Sequence, residues 1–167
     1  ARSTTENNKI IAQSTPFTGY DAFRAVDGIL NTEWQGCPDN GTLDTDSART
    51  YDAWFVLDLG TTCDINMVAI VFEGACAQDY HVDFSADNTT WQTAYNHVGN
   101  PGVHHHTQAL YGDNLLHGNG VRYVRFWSTK AATQWGMKIF EFEVYGFAAG
   151  NTATPELALP ITATKVI

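Results

Sequence analysis

Alternation with a period of two governs what this chain can fold into. In Tyr80-His81-Val82-Asp83-Phe84-Ser85 every second side chain is apolar, so an extended backbone puts Tyr80, Val82 and Phe84 on one face and polar groups on the other. Trp54 to Gly60, Ile65 to Phe72, Val121 to Trp127 and Ile139 to Gly146 read as further strands. In the second of these, Ile65, Met67, Ala69 and Val71 are expected on one face. Turn residues separate the runs, and helical periodicity is almost absent. Such a chain buries its apolar faces best as an antiparallel sandwich.

Loops punctuate the pattern at residues 36 to 53 and 97 to 107, and Gly, Asp, Thr and Ser crowd the first of them. From Ala148 onward Thr, Ala and Pro dominate, which reads as a linker. The expected organisation is therefore one module over residues 1–147 and a tail over 148–167, tethered to other domains of a larger chain. Hydrophobic residues make up 44% of the sequence, enough for a core.

Charge narrows the partners. Eighteen acidic against nine basic residues give a net charge of -9, with no Lys/Arg cluster. That argues against nucleic acid and anionic membrane surfaces, and suits calcium and neutral or amine-bearing ligands. No apolar run reaches the length of a membrane helix. The three cysteines, Cys37, Cys63 and Cys76, lack the spacing of a zinc site and fit one disulfide plus one buried thiol. Adjacent side chains of His104-His105-His106 point to opposite faces of an extended chain, so the triplet is not read as a zinc site.

One stretch is suited to a hard cation. In Ala25-Val26-Asp27-Gly28-Ile29-Leu30-Asn31-Thr32-Glu33-Trp34, a carboxylate, a glycine turn and a hydroxyl lie within six residues, and together with carbonyl oxygens they can wrap calcium. The alternative is a solvated turn with Trp34 in the core.

Residues 10 to 34, Trp54 to Gly60, Phe72-Glu73-Gly74-Ala75 leading to Asp79-Tyr80, Ser85 to Trp91, Val121 to Arg125 and Trp135 to Gly146 follow one another in an order that resembles the coagulation factor 5/8 type C (discoidin) family. Within it, the chain is most similar to family 32 carbohydrate-binding modules. The resemblance covers roughly residues 8 to 146. It implies an all-β, galactose-binding-like jelly-roll sandwich of about eight main strands. It also implies a structural calcium ion held by the carbonyls of Arg24, Ile29 and Phe140, the carboxylates of Asp27 and Glu141, and Thr32 through carbonyl and hydroxyl. Ile29 stands where relatives carry Asn, a change that a carbonyl ligand tolerates.

The same resemblance places glycan contacts on loops at one end of the sandwich. Glu73 follows Phe72 where relatives carry Trp-Glu at the lip of the site. Trp135 suits either the core or the rim, and its neighbours Gln134 and Gly136 favour the rim. Glu33 and Phe17 fall on the first loops of that end, and Lys130 on the last. The family pattern also brings Cys37 and Cys76 together, implying a disulfide that rigidifies the lip. The implied function is non-catalytic binding of a neutral or amino-sugar oligosaccharide or polysaccharide by a monomeric, secreted or cell-surface module of a glycan-active protein. Neither a nucleophile with its base nor a supported carboxylate pair is visible. Two alternatives are an adhesion or membrane-docking discoidin domain and a free-standing oligomeric lectin.

Overall fold

The computed structural model describes residues 9–38, 41, 49–102, 105–115, 118–149 and 164–165. Among these, two short 3-10 turns accompany nine strands. The strands are β1 (Ile10–Gln13), β2 (Trp34–Gly36), β3 (Thr50–Phe72), β4 (Ala77–Ser85), β5 (Gln92–His97), β6 (His106–Tyr111), β7 (Gly118–Ala131), β8 (Met137–Ala148) and β9 (Thr164–Lys165).

The expected sandwich is present, and β3 is its spine. Its first half pairs with β1 and β7, and its second half with β8 and β6, all antiparallel. Between the halves the register against β7 slips on either side of Cys63, and Gly60 takes a φ of 81° that a side chain would resist. One layer therefore runs β1-β3-β7-β4-β5. The other runs β6-β3-β8, with β2 and β9 on the far edge of β8. Residue 147, the expected end of the module, lies inside β8, and Thr164–Lys165 pair back onto Tyr145 and Gly146. The tail between 150 and 163 lies outside the described residues.

Aromatic side chains fill the space between the layers. Phe55 and Phe126 from one sheet meet Phe142 from the other at 5.4 and 6.1 Å between ring centroids. Trp34, fully buried, packs edge-on against Phe55 and Phe126. Each such ring contributes about 1.5–3 kcal/mol by burial. Tyr80, Val82 and Phe84 are buried as their alternation requires.

The expectation for Ile65 to Phe72 is corrected. Ile65 and Ala69 are buried, but Val68, Ile70 and Phe72 carry the core onward while Met67 and Val71 sit only half-buried. An irregularity against β8 between Ile65 and Met67 shifts the phase by one residue, and a one-residue slip exchanges the faces. A second irregularity opposite Val71 and Phe72 lets Glu141 and Phe142, adjacent in sequence, both be buried.

Candidate glycan-binding rim and cation loop

The loops before β4, β6 and β8 meet at one end of the sandwich, where backbone hydrogen bonds fasten them. Lys138 N–H donates to Ala75 O (2.7 Å), Ala132 N–H to Cys76 O (3.0 Å) and Asn100 N–H to Gln78 O (3.0 Å). Within this frame lies an open recess of about 350 Å³ lined by Glu73, Gly74, Gly102, Thr133, Trp135 and Lys138. Glu73 and Trp135, singled out from loops far apart in sequence, thus share one wall.

The Trp135 backbone is held on both sides. Gln35 Nε2, itself buried, donates to its carbonyl at 2.9 Å, and its own N–H donates to Thr133 Oγ1 at 3.2 Å. The indole is left 59% exposed, an apolar ring face on a rigid stalk. Glu73 is fixed differently. One oxygen accepts the Ala75 N–H at 2.7 Å, and the other lies 3.3 Å from His105 Nε2. Glu33 reaches the rim through an ion pair of 3.0 Å with Lys138. The rim therefore offers two carboxylates, one ammonium and an imidazole around an exposed indole, which suits hydroxyl and amine groups of a sugar.

Two residues expected at the recess lie elsewhere. Phe17 packs against Tyr20 at 5.9 Å between centroids and does not line it. Lys130, expected in the last loop, belongs to β7, where it pairs across the backbone with Thr50 and Asp79. The strand continues to Ala131 because it stays paired with β4, although its alternation breaks after Ser128: the next buried residue is Ala131, opposite a register shift. Lys138, Thr133 and His105 are the rim residues that the sequence reading missed. Lys138 carried a signal, since it is the polar position between buried Met137 and Ile139 at the start of β8. His105 is turned to the rim, against Phe140 and Glu73, while half-buried His106 stacks on Phe72. His104 lies outside the described residues.

No disulfide joins Cys37 to Cys76, a correction to the expected bridge: all three cysteines are buried thiols. Cys37 Sγ lies 3.5 Å from the carbonyl of Thr15. Burial pushes the Cys76 thiol up to about 11, which keeps it protonated and unreactive. Cys63, buried in β3, is held above the usual thiol range for the same reason.

The cation loop follows the 3-10 turn Ala22–Val26, which Asp27 terminates. Asp27 Oδ1 accepts the Ile29 N–H at 2.8 Å, and Asp27 Oδ2 lies 2.8 Å from the Thr32 hydroxyl. That hydroxyl is also 2.9 Å from the Ile29 carbonyl. From the far end of the chain, Glu141, 2% exposed, accepts the Gly28 N–H on Oε1 at 3.2 Å. Asp27, Ile29, Thr32 and Glu141 are therefore gathered around one turn. A buried carboxylate bonded to a turn that carries a second carboxylate, a hydroxyl and a carbonyl offers hard oxygens of the kind that fit calcium. Among the described residues no three His, Cys, Asp or Glu side chains cluster, and this set calls for only two. Phe140 adjoins Glu141 in β8. The Arg24 guanidinium lies 5.8 Å from the centroids of both the Tyr20 and Phe23 rings.

Comparison with known proteins adds three findings. A family model described as the F5/8 type C domain matches residues 9–142. Two solved structures from a chitosanase/glucanase of Paenibacillus sp. IK-5 are similar over most of the chain. Its chitosan-binding module 1 is 26% identical with a TM-score of 0.64, covering 81% of this chain and 92% of the module. Its chitosan-binding module 2, solved with chitotriose, is 28% identical with a TM-score of 0.58, covering 81% and 94%. The family 32 module of Clostridium perfringens NanJ, solved with galactose, shares the fold at 17% identity and a TM-score of 0.61, covering 83% and 94%. Among curated proteins none matches.

Proposed function

Since the chain belongs to the F5/8 type C domain family, we propose that it is a non-catalytic module that binds an amino-sugar glycan at the rim recess. One observation carries this reading: an exposed indole, Trp135, and an immobilised carboxylate, Glu73, line the same recess from separate loops. The apolar face of a pyranose stacks on Trp135. Glu73, with Glu33 beside Lys138, accepts hydrogen bonds from hydroxyl or ammonium groups. Two relatives of 26% and 28% identity are chitosan-binding modules, which supports an amine-bearing sugar over a plain hexose. The acidic balance of the chain points the same way. Nothing in the recess resembles a catalytic pair, because Glu33 and Glu73 are each committed to partners of their own.

A structural calcium ion belongs to this proposal. Asp27, Thr32 and Glu141, with the carbonyls of Arg24, Ile29 and Phe140, would hold it, and bound there it would join the first loop to the last strand. The module acts outside the cell, tethered to a glycan-active protein, as a monomer.

Calorimetry with chito-oligosaccharides tests the sugar reading. A shallow site for one or two residues gives a Kd on the order of 0.1–1 mM. Trp135→Ala and Glu73→Ala are each expected to abolish measurable binding while circular dichroism stays unchanged. Unchanged affinity in both variants moves the site elsewhere. Binding instead to anionic liposomes would favour a membrane-docking domain.

A further inference from the structure

Next to the rim recess lies a second one, of about 430 Å³, formed by the loop between β5 and β6 and lined by His97, Val98, Asn100, Pro101, His106 and Gln108. Gly102 lines both recesses. It could not carry a side chain. Its φ is 65°, and a Cβ there would collide with the Ala132 Cβ and crowd the Gly74 carbonyl at 3.3 Å and the Cys76 sulfur at 3.4 Å.

The walls of the second recess are built rather than loose. Asn100, 6% exposed, places its Nδ2 3.2 Å from His106 Nε2. The His106 ring stacks on Phe72 at 5.1 Å. The His97 ring lies parallel to buried Tyr80 at 5.1 Å, and its Nδ1 is 2.9 Å from the Tyr95 hydroxyl. Asp79, half-buried, accepts the Gly99 N–H at 2.9 Å and fixes the loop. Among the described residues the lining holds amide and imidazole groups with Val98, 72% exposed, and Pro101 at the lip, and includes no carboxylate, ammonium or guanidinium.

Resting on the reading of the rim recess above, we infer that the two recesses form one groove over Gly102, and that the second takes an uncharged pyranose residue of the same glycan chain. The charged recess selects the amine-bearing residue. Its neighbour meets amide and imidazole donors and acceptors with an apolar lip, which suits hydroxyl or acetamide groups. The module then reads two adjacent positions of a partly N-acetylated chain rather than one sugar.

Calorimetry on the intact chain decides this, with glucosamine and with partly N-acetylated chito-oligosaccharides of two and four residues as probes. The wild type is expected to gain at least tenfold in affinity from glucosamine to the longer probes. Val98→Asp and Gln108→Ala, both near the surface and remote from the fold's core, should bind glucosamine as the wild type does and lose that gain. A wild-type affinity independent of length, or a gain that survives in both variants, overturns the groove while Trp135→Ala still reports on the first recess. Loss in Val98→Asp with full binding in Trp135→Ala would make the second recess a separate site and also overturn it. Absence of binding to every probe overturns both readings.

Discussion

Trp127 and Trp135 lie eight residues apart, yet their surroundings are opposite. Trp127 stands on the outer face of the β3-β7-β4 sheet in a ladder of partners. Trp54 stacks on it at 5.6 Å and His81 at 6.1 Å, its Nε1 donates to Asp52 at 3.0 Å, and the Arg125 guanidinium lies 4.8 Å from its centroid. Arg125 is also set 4.4 Å over Trp91 and paired with Asp83 at 2.8 Å. Asp83 is 1% exposed and takes hydrogen bonds from Arg125 and Thr93, with His81 Nδ1 at 2.9 Å. On that face the polar and aromatic groups satisfy one another. At the rim, only the backbone of Trp135 is held, and the ring is left to solvent. Residue type says little about function, then, until one asks which of its surfaces other side chains already occupy.

The sharpest way to test the contrast is to strip the satisfied face. Asp83→Ala leaves Arg125 without its buried partner, a change that costs about 3–5 kcal/mol. A large fall in Tm is expected, with glycan affinity unchanged in the protein that remains folded. The Asp83 carboxyl is held below its ordinary value: burial alone would raise it, but hydrogen bonds from His81 and Arg125 outweigh that. A depressed carboxylate stabilises the fold above the unfolded value of 3.8, and this stabilisation drains away as the pH falls through the folded one. Acid titration of the wild type should therefore show a stability loss below about pH 4 that Asp83→Asn lacks.

Chelation is expected to have the next largest effect, on the loop rather than the sheet. Calcium held at one hundred times its Kd stabilises by about 2.7 kcal/mol. Tm should drop on adding chelator, and Asp27→Ala should remove the difference. Superimposable melting curves with calcium and with chelator would reject the ion.

Smaller again is the exchange of roles between the two tryptophans. Trp135→Ala should weaken binding at least tenfold, about 1.4 kcal/mol, and leave Tm unmoved. Trp127→Ala should lower Tm and leave binding alone. If both variants lose binding, the outer face belongs to the site and the contrast fails.

The smallest expected effect concerns His97. Burial lowers its pKa below 6.5, outweighing Asp79, which acts to raise it. The unfolded chain then takes up a proton first, so stability declines as the pH drops below about 6.5. His97→Gln should flatten this part of the profile in thermal melts between pH 7.5 and 5.5.

Legibility followed physical scale. The long alternating runs in β4, β7 and β8 were plain in the sequence, since their periodicity reports burial directly. Short β1 and β2 carry too few residues to show a period, and β6 is an edge strand with little to bury. Irregularities defeated the rest. Nothing local in Ile65-Asn66-Met67 announces a slip, because its cause lies in the pairing with β8. The rim divides similarly. Glu73 and Trp135 stand out by chemical type in polar loops, whereas the pairing of Lys138 with Glu33 and of His105 with Glu73 is visible only after the chain has folded. Lys130 was misplaced by a single boundary, that between β7 and the loop after it.

One strand shared by both layers also dictates an order of events. β3 finds its lateral partners in β7 and β8, so Phe55 waits for Phe126, and Val68 for Val144. Contacts this distant in sequence make closure slow, because long loops must be immobilised before any pairing rewards them. During synthesis the apolar faces of β3 and β4 leave the ribosome long before β8 exists to cover them. Until then the nascent chain exposes hydrophobic strand edges, the state in which a β-rich chain is most open to aggregation.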